Sequence, residues 1–251
     1  ATYGSALYHD EVLRDDILFA LQWMYENRYG EAEKTNSGWR STSLFNWWDW
    51  QIGVPTNLID TLMLMESELD RETITQYLSL FDKLVPTATD YGANKLNFAK
   101  EIIGSGLLQE NADRVIVGRD GADETMMYVD GGRNDKQGFY TDGSYIYHSL
   151  HPMNGTYGFE QFKNFAALMY LLEGTKFEYC NPMKYNIYEW AINAYEPLIY
   201  KGDMFRFVLG RHPSGGADMG RGVVEVYLNL LALDTIPADL AARLKSIIKY
   251  M

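Results

Sequence analysis

The feature that most constrains the fold of this chain is a helical periodicity that recurs from one end to the other. Apolar residues return every three or four positions, which places them on one face of an α-helix, and no convincing run alternates apolar and polar residues as a half-buried strand does. Pro55 is expected to mark a helix start, with Val54 before it outside the helical region. The chain is therefore predicted to be all-α, with sequential antiparallel hairpins whose connecting loops line a central cleft. The predicted helices are Leu7 to Tyr29, Thr56 to Glu68, Asp70 to Leu84, Lys95 to Leu108, Asn111 to Tyr128, Phe159 to Leu172, Tyr185 to Leu198, Gly222 to Leu233 and Pro237 to Met251.

Composition and charge exclude several classes of protein. Hydrophobic residues make up 47% of the 251 residues, which is enough for a sizeable core and argues against disorder. The formal net charge of -12 predicts no affinity for nucleic acid or for an anionic membrane, because a phosphate-binding face needs clustered Lys and Arg. The single Cys180 cannot form an intrachain disulfide, and no Cys/His group has the spacing of zinc ligands.

Aromatic residues are unusually abundant, at 14% with 19 Tyr and 6 Trp. A core alone rarely needs so many amphipathic rings, whereas sugar-binding clefts use them as stacking platforms with a hydrogen-bonding tip. Trp47, Trp48 and Trp50 are candidates for such a sugar-stacking wall. They are equally well interpreted as core anchors at a helix start, with Asp49 as the cap, and both interpretations remain open.

The stretch from Gly138 to Gly158 carries titratable and aromatic side chains with almost no aliphatic core, and is interpreted as the catalytic loop. His148 and Tyr157 lie nine residues apart in it, near enough to meet. A free phenol has a pKa of about 10, so a tyrosine acts as a base only beside a group that stabilises the phenolate. Arg211 is a candidate for that group. The alternative is that Tyr157 is an ordinary tyrosine and that His148 caps a turn.

A second candidate group lies at the predicted helix start near Asn94, which follows Gly92 and Ala93. Backbone amides at a helix N-terminus, together with a neutral carboxamide, suit a substrate carboxylate. An N-cap is the simpler role for Asn94.

Charged side chains offer two further possibilities. A cationic patch in this acidic chain, or alternatively a solvated basic loop, is formed by Arg206, Arg211, His212 and Arg221. Carboxylates for glycosidase-type acid and base roles are offered by Asp142, Asp49 and Glu160.

Five motifs in order are more specific together than any one alone. They are N-W-W-D-W-Q-I-G-V-P at 46–55, G-A-N at 92–94, G-F-Y-T-D-G-S-Y-I-Y-H at 138–148, G-T-Y-G at 155–158 and V-L-G-R at 208–211. The combination resembles the helical domain of the polysaccharide lyase family that includes hyaluronate, chondroitin AC and xanthan lyases. This resemblance implies an incomplete α/α toroid of antiparallel helical hairpins and a lyase that acts on an acidic polysaccharide.

The resemblance also implies a mechanism, β-elimination at a uronic acid, with no metal or organic cofactor. Matched motif by motif, the family's catalytic residues fall on Asn94, His148, Tyr157 and Arg211. Asn94 and His148 would neutralise the uronate carboxylate, while Tyr157 would act as base and then as acid. Substrate-binding roles are expected for Trp47, Trp48, Trp50, Tyr91 and His212.

The resemblance further implies that residues 1–251 are a single catalytic domain of a longer enzyme, lacking N-terminal helices and C-terminal β-sandwich domains. The expected location is secreted or at the bacterial cell surface. Two interpretations from other classes remain open. One is an α/α-barrel glycoside hydrolase that uses Asp142 or Asp49, and the other is a non-catalytic glycan-binding fragment.

Overall fold

A computed structural model of the chain describes residues 3–29, 46–131, 136–148, 150–210 and 219–251. The chain divides into two compact units, Ala1–Pro86 and Thr87–Met251. The single-domain prediction for residues 1–251 stays a prediction. None of the helices in the described ranges is long and apolar enough to cross a membrane.

The first unit is helical throughout its described regular structure. Asp10 caps the first helix by accepting a hydrogen bond from the Leu13 amide, and Asp70 caps the third by accepting one from Thr73. The segments are α1 (Glu11–Met24), a π-helical turn (Tyr25–Tyr29), a second π-helical turn (Asp49–Gly53), α2 (Val54–Leu64), a 3-10 turn (Glu66–Glu68) and α3 (Arg71–Leu84).

The prediction that Val54 lies outside the helical region is wrong. Its backbone is helical (φ -68°, ψ -49°), and its amide donates to the Asp49 carbonyl, five residues earlier. The π-helical turn at Asp49–Gly53 therefore runs without a break into α2. Pro55 is tolerated because it falls in the first turn of α2, where a missing N–H does little harm.

The second unit contains most of the buried core. Its segments are α4 (Gly92–Leu108), α5 (Ala112–Ala122), 3-10 turns (Asp123–Met126 and Val129–Gly131), β1 (Gly138–Phe139), β2 (Tyr145–Tyr147), β3 (His151–Pro152), a π-helical turn (Asn154–Gly158), α6 (Phe159–Leu172), a 3-10 turn (Pro182–Tyr185), α7 (Asn186–Glu189), a π-helical turn (Trp190–Tyr195), a 3-10 turn (Glu196–Leu198), β4 (Ile199–Tyr200), β5 (Asp203–Met204), a 3-10 turn (Arg206–Val208), α8 (Met219–Leu231) and α9 (Ala238–Tyr250). The predicted helix from Phe159 to Leu172 is confirmed at both ends.

Glycine permits the close approach of α4 and α5. A β-carbon on Gly118 would come within 2.7 Å of the Ala99 carbonyl oxygen, and one on Gly106 within 2.7 Å of the Val115 amide nitrogen. Gly118 and Gly106 are therefore positions where a side chain would force the two helices apart. Aromatic rings fill the remaining core, for example Phe162 stacked on Tyr195 with ring centroids 4.4 Å apart.

The stretch predicted as a loop, Gly138 to Gly158, is more ordered than expected. Strands β1, β2 and β3 form an antiparallel meander in which Phe139 pairs with Tyr145 and Tyr147 pairs with His151. A π-helical turn follows and leads directly into α6. The sequence missed these strands because each has only two or three residues, too few to show an alternating pattern.

Candidate active site

Tyr157 lies in the π-helical turn Asn154–Gly158, and the buried Asn154 fixes this turn in place. The Asn154 side-chain oxygen accepts a hydrogen bond from the Tyr145 amide at 3.0 Å, and its nitrogen donates to the Gly143 carbonyl at 2.8 Å. The Asn154 carbonyl accepts a hydrogen bond from the Tyr195 hydroxyl at 3.2 Å. The turn that carries Tyr157 is therefore tied to both the meander and the buried core.

His148 and Tyr157 meet, as their spacing predicted. The His148 Nε2 atom lies 3.2 Å from the Tyr157 hydroxyl oxygen, and the two rings meet edge to face with centroids 5.1 Å apart. His148 has a left-handed backbone (φ 47°) and its amide donates to the Gln137 side chain at 3.0 Å. Non-glycine residues in this conformation are uncommon and concentrate at functional sites. His148 is solvent-exposed and Tyr157 is partly exposed, so the pair is accessible.

Behind this pair, Tyr145 and Tyr147 form a ladder of tyrosine rings that continues the Tyr157 ring. The Tyr147 ring stacks on the Tyr157 ring with centroids 4.4 Å apart, and the Tyr145 ring stacks on Tyr147 at 6.2 Å. Tyr145 and Tyr147 are buried, whereas Tyr157 is partly exposed at the open end. The Tyr157 ring therefore rests on rings whose rotamers are held by the core.

The ladder also joins the meander to the start of α4. The Tyr147 hydroxyl donates to the Tyr91 carbonyl at 3.2 Å, and the Tyr145 hydroxyl accepts from the Ala93 amide at 3.1 Å. Between them lies Gly92, with φ 50°, where a β-carbon would come within 2.6 Å of the Tyr145 hydroxyl oxygen. Glycine suits this position because it adopts a positive φ without strain and has no β-carbon to collide with the hydroxyl.

Asn94 is buried in the first turn of α4, three residues after Tyr91, which is the residue that caps the helix. The interpretation of Asn94 as an N-cap is therefore wrong. Its side-chain nitrogen donates to the Asp90 carboxylate at 3.0 Å, and the second carboxylate oxygen of Asp90 accepts from the Tyr91 amide at 2.9 Å. Asp90 thus orients the carboxamide, since the nitrogen must face the acceptor.

The β4–β5 hairpin and the 3-10 turn after it pack against the turn that carries Tyr157. A β-carbon on Gly155 would come within 2.6 Å of the Leu209 side chain and 2.7 Å of the Met204 sulfur. Leu209 is two residues before the predicted Arg211 in the sequence. Arg211 and His212 themselves lie outside the described residues.

The predicted tryptophans belong to the other compact unit. Trp48 is 40% exposed and Trp47 and Trp50 are partly exposed, so none is a buried core anchor. The Trp50 ring stacks on the buried Tyr29 ring with centroids 5.9 Å apart. Their convergence with Asn94, His148 and Tyr157 stays a prediction.

The carboxylates considered for hydrolysis have other partners. Asp142 is exposed and accepts hydrogen bonds from the Ser144 amide at 2.9 Å and from the Ser144 hydroxyl at 2.6 Å. These bonds lower the pKa of the Asp142 carboxyl. Asp49 is exposed and accepts from the Asn46 amide at 3.3 Å. Asp142, exposed and with a lowered pKa, is therefore a poor general acid at neutral pH.

Sequence reasoning missed the residues that hold the predicted site together. These are Asp90, Tyr145, Tyr147 and Asn154. The G-F-Y-T-D-G-S-Y-I-Y-H motif contains both ladder tyrosines, but their stacking depends on the meander register, which short strands do not reveal. Among the described residues, no group of three or more His, Cys, Asp or Glu side chains is arranged to hold a metal ion.

The structure is thus that of a predominantly helical protein whose candidate site is centred on a tyrosine and a histidine. The chain belongs to polysaccharide lyase family 8, because the model of that family's N-terminal α-helical domain matches residues 1–250. The family resemblance seen in the sequence is confirmed, and so is the prediction of the incomplete α/α toroid fold class.

Named relatives agree with this assignment. The chain is 34% identical to a xanthan lyase of Bacillus sp. (strain GL1) over 254 residues, covering 99% of this chain and 26% of the relative. It is 27% identical to a hyaluronate lyase of Enterococcus faecalis over 273 residues, covering 99% of this chain and 26% of the relative. The chain thus spans about a quarter of the length of these relatives.

Solved structures give the same result. The Paenibacillus xanthan lyase matches with a TM-score of 0.83 and 34% identity, covering 97% of this chain and 22% of that one. The Streptomyces coelicolor A3 chondroitin AC lyase, solved with chondroitin sulphate, matches with a TM-score of 0.84 at 24% identity. That match covers 100% of this chain and 35% of the other, and it supports the fold alone.

Proposed function

We propose that this chain is the catalytic helical domain of a lyase that cleaves an acidic polysaccharide containing uronic acid by β-elimination. The polymer is of the hyaluronan, chondroitin or xanthan type. Family membership and the lyases among the relatives support the reaction class. The observation that carries the proposal for this chain is the 3.2 Å contact between His148 Nε2 and the Tyr157 hydroxyl, at an accessible position.

The His148–Tyr157 contact suits a tyrosine that alternates between base and acid. When Tyr157 is ionised, an Nε2–H group donates to the phenolate and stabilises it. In this proposal His148, which lies beside Tyr157, also binds one oxygen of the substrate carboxylate. Arg211 adds positive charge to the site in this proposal.

Asn94 is the second carboxylate ligand. One N–H bond of its carboxamide is directed at Asp90, which fixes the amide plane and leaves the other N–H for the uronate. A neutral donor held in place before the substrate arrives stabilises the negative charge that develops as the proton leaves.

The elimination needs no group other than the substrate and Tyr157 to accept or supply the proton. The phenolate takes the proton from C5, the electron pair of that C–H bond forms the C4=C5 double bond, and the bond from C4 to the glycosidic oxygen breaks. Tyr157, now a phenol, returns its proton to the leaving oxygen. The residues proposed to hold the sugar rings during this step are Trp47, Trp48, Trp50, Tyr91 and His212.

Tyr91 is 46% exposed and lies at the cap of α4, three residues before Asn94, which supports its part in substrate binding. The aromatic content of the chain supports sugar binding more generally. We also propose that C-terminal β-sandwich domains work with this domain, and that the enzyme is secreted or held at a bacterial cell surface. Both proposals rest on the family.

The test compares the unmodified chain with Tyr157→Phe, which keeps the ring on the Tyr147 stack and removes only the hydroxyl. Hyaluronan, chondroitin and xanthan are each supplied, and the new C=C bond is followed by ultraviolet absorbance. We expect turnover of at least one polymer, and a loss of about 100-fold or more in Tyr157→Phe. Tyr170→Phe, on the exposed face of α6, is the matched control and should behave like the unmodified chain.

Near-normal elimination by Tyr157→Phe would refute the assignment, and products without a new double bond would indicate hydrolysis. Because the chain spans about a quarter of its xanthan lyase relative, the variants are also tested in a chimera. There, residues 1–250 replace the matching segment of the Bacillus enzyme. Binding without turnover in the chain, together with turnover in the chimera, would identify a fragment that binds glycan but needs further domains.

A further inference from the structure

Two phenylalanine rings and an arginine are exposed together just after the β4–β5 hairpin. Phe205 and Phe207 are 44% and 70% exposed. Their rings stack nearly in parallel, with centroids 5.7 Å apart and an interplanar angle of 18°. Arg206 lies between them in sequence and is also exposed. Large apolar rings that face solvent side by side are unusual unless they bind something.

The segment is held rigidly although its side chains are exposed. Met204, Val208 and Leu209, on either side of it, are buried, and the Phe205 amide donates to the Leu198 carbonyl at 3.0 Å. The side chains of Met204 and Leu209 also lie against Gly155, which is two residues before Tyr157. The Phe205–Phe207 segment therefore has a fixed position relative to the turn that carries the proposed base.

Arg206 is available for a ligand. Among the described residues, no carboxylate pairs with its guanidinium, in contrast to Arg243, which binds Glu196 at 2.8 Å. The chain carries a net charge of -12, so an exposed cation between two exposed rings in the sequence is a local exception to its acidic character. An arginine next to aromatic surface suits a ligand that has both an apolar face and a negative charge.

We propose that Phe205, Arg206 and Phe207 form a binding subsite for an anionic sugar unit of the polysaccharide, separate from the unit that reacts at Tyr157. One pyranose face would stack on the open face of Phe207, with Phe205 supporting that ring from behind. Arg206 would bind the carboxylate or other acidic group on the same or the neighbouring sugar. This inference rests on the proposed function, because it takes the ligand to be the same polymer.

The subsite is tested by direct binding, so that its outcome does not depend on turnover. Titration calorimetry is carried out in the Tyr157→Phe background with oligosaccharides prepared from hyaluronan, chondroitin and xanthan. We expect Phe207→Ala to weaken binding about tenfold, since it removes a stacking surface. Arg206→Gln should weaken binding of the acidic oligosaccharides about tenfold and leave binding of their carboxyl-reduced forms unchanged.

Two controls match these changes. Tyr170→Ala removes an exposed ring (54% exposed) from α6, and Lys245→Ala removes an exposed cation from α9. Both should bind like the background protein, and thermal denaturation confirms that every variant is folded. A shallower salt dependence of binding in Arg206→Gln is a further expected sign of a lost charge contact.

The inference is overturned if none of the oligosaccharides binds, or if Phe207→Ala and Arg206→Gln bind within twofold of the controls. It is also overturned if Phe207→Ala changes only the oligomeric state in light scattering, which would make the rings a contact between copies. Failure of the proposed function has a different signature. In that case the unmodified chain and the chimera give no unsaturated product, whether or not Phe207 contributes to binding.

Discussion

Two π-helical turns, Asp49–Gly53 and Asn154–Gly158, lead into α2 and α6 respectively. Each ends in a glycine with helical dihedral angles, φ -62° and ψ -49° at Gly53 and φ -62° and ψ -43° at Gly158. Each glycine faces an aromatic ring, and each turn carries an aromatic residue that the sequence placed in a sugar site. The local backbone arrangement is therefore the same in both compact units.

The surroundings of the two turns differ. The ring at Gly53 is the far end of Trp48, which is 40% exposed and belongs to the same helical stretch. At Gly158 the nearest atoms are Cγ and Cβ of Tyr145, where the ring joins the backbone. Tyr145 is fully buried and belongs to β2. The first turn closes on a side chain that can move into solvent, and the second closes on one that the core holds.

In the proposed function, this difference corresponds to that between a sugar-binding surface and a proton-transfer group. A sugar-stacking ring has to offer a face, and small changes in its tilt are tolerated. A proton-transfer group has to lie within hydrogen-bond distance of both the substrate and its partner, where a shift of 1 Å already reduces the rate. The enclosure of the Tyr157 turn fits the stricter requirement.

The largest expected difference between the turns is in the response to a single methyl group. Gly158→Ala should lower the free energy of unfolding by about 1–3 kcal/mol, because the new β-carbon would lie 2.8 Å from Tyr145 Cγ, which cannot move. Gly53→Ala should be neutral or stabilising by up to about 1 kcal/mol, since Trp48 can swing away and alanine restricts the unfolded chain. Urea denaturation of both variants measures the difference, and equal effects would contradict the comparison.

The next effect tests the buried end of the tyrosine ladder. Tyr145→Phe removes the hydroxyl that accepts from the Ala93 amide at 3.1 Å and donates to the Gln161 side chain at 3.0 Å. Two buried groups lose a partner, so the free energy of unfolding should fall by about 1–3 kcal/mol. Tyr140→Phe, whose hydroxyl bonds to the Lys136 carbonyl at an exposed site, is the control and should change stability little. Similar losses in both variants would contradict a special role for Tyr145.

The effect of Asp90 is expected in activity rather than stability. Asp90 has a left-handed backbone (φ 70°), which glycine and asparagine also adopt readily, so Asp90→Gly removes the carboxylate without adding strain. We expect kcat to fall about tenfold with little change in KM, because the Asn94 amide is no longer oriented. Asp90→Asn should restore most of the rate, since its side-chain oxygen can still accept from Asn94. A fall in both variants alike would indicate that the negative charge itself matters.

Long, strongly periodic segments were predictable from the sequence, and the exact ends of α6 show this. What the sequence could not supply were contacts between distant segments. The helical backbone at Val54 was missed because the extended conformation before a proline is only a preference, and the π-helical turn before α2 overrides it. The short strands of the meander were missed for lack of length. The proximity of His148 and Tyr157 was predictable because both lie in one short stretch, whereas Asp90 could be assigned only once Asn94 was seen to face it.

The smallest expected effect concerns the outer end of the first turn. In a π-helical register the Trp50 carbonyl would accept from the residue five positions later, but that residue is Pro55, which has no N–H. The Tyr29 hydroxyl donates to this carbonyl at 3.3 Å instead, and the Tyr29 ring stacks on Trp50 at an angle of 11°. Tyr29→Phe keeps the stacking and removes the hydrogen bond, so the loss in unfolding free energy should be about 0.5–1.5 kcal/mol. Urea denaturation followed by tryptophan fluorescence measures it. A loss as large as that of Tyr145→Phe would mean that the exposed turn is held as firmly as the enclosed one, and the distinction between the two would fail.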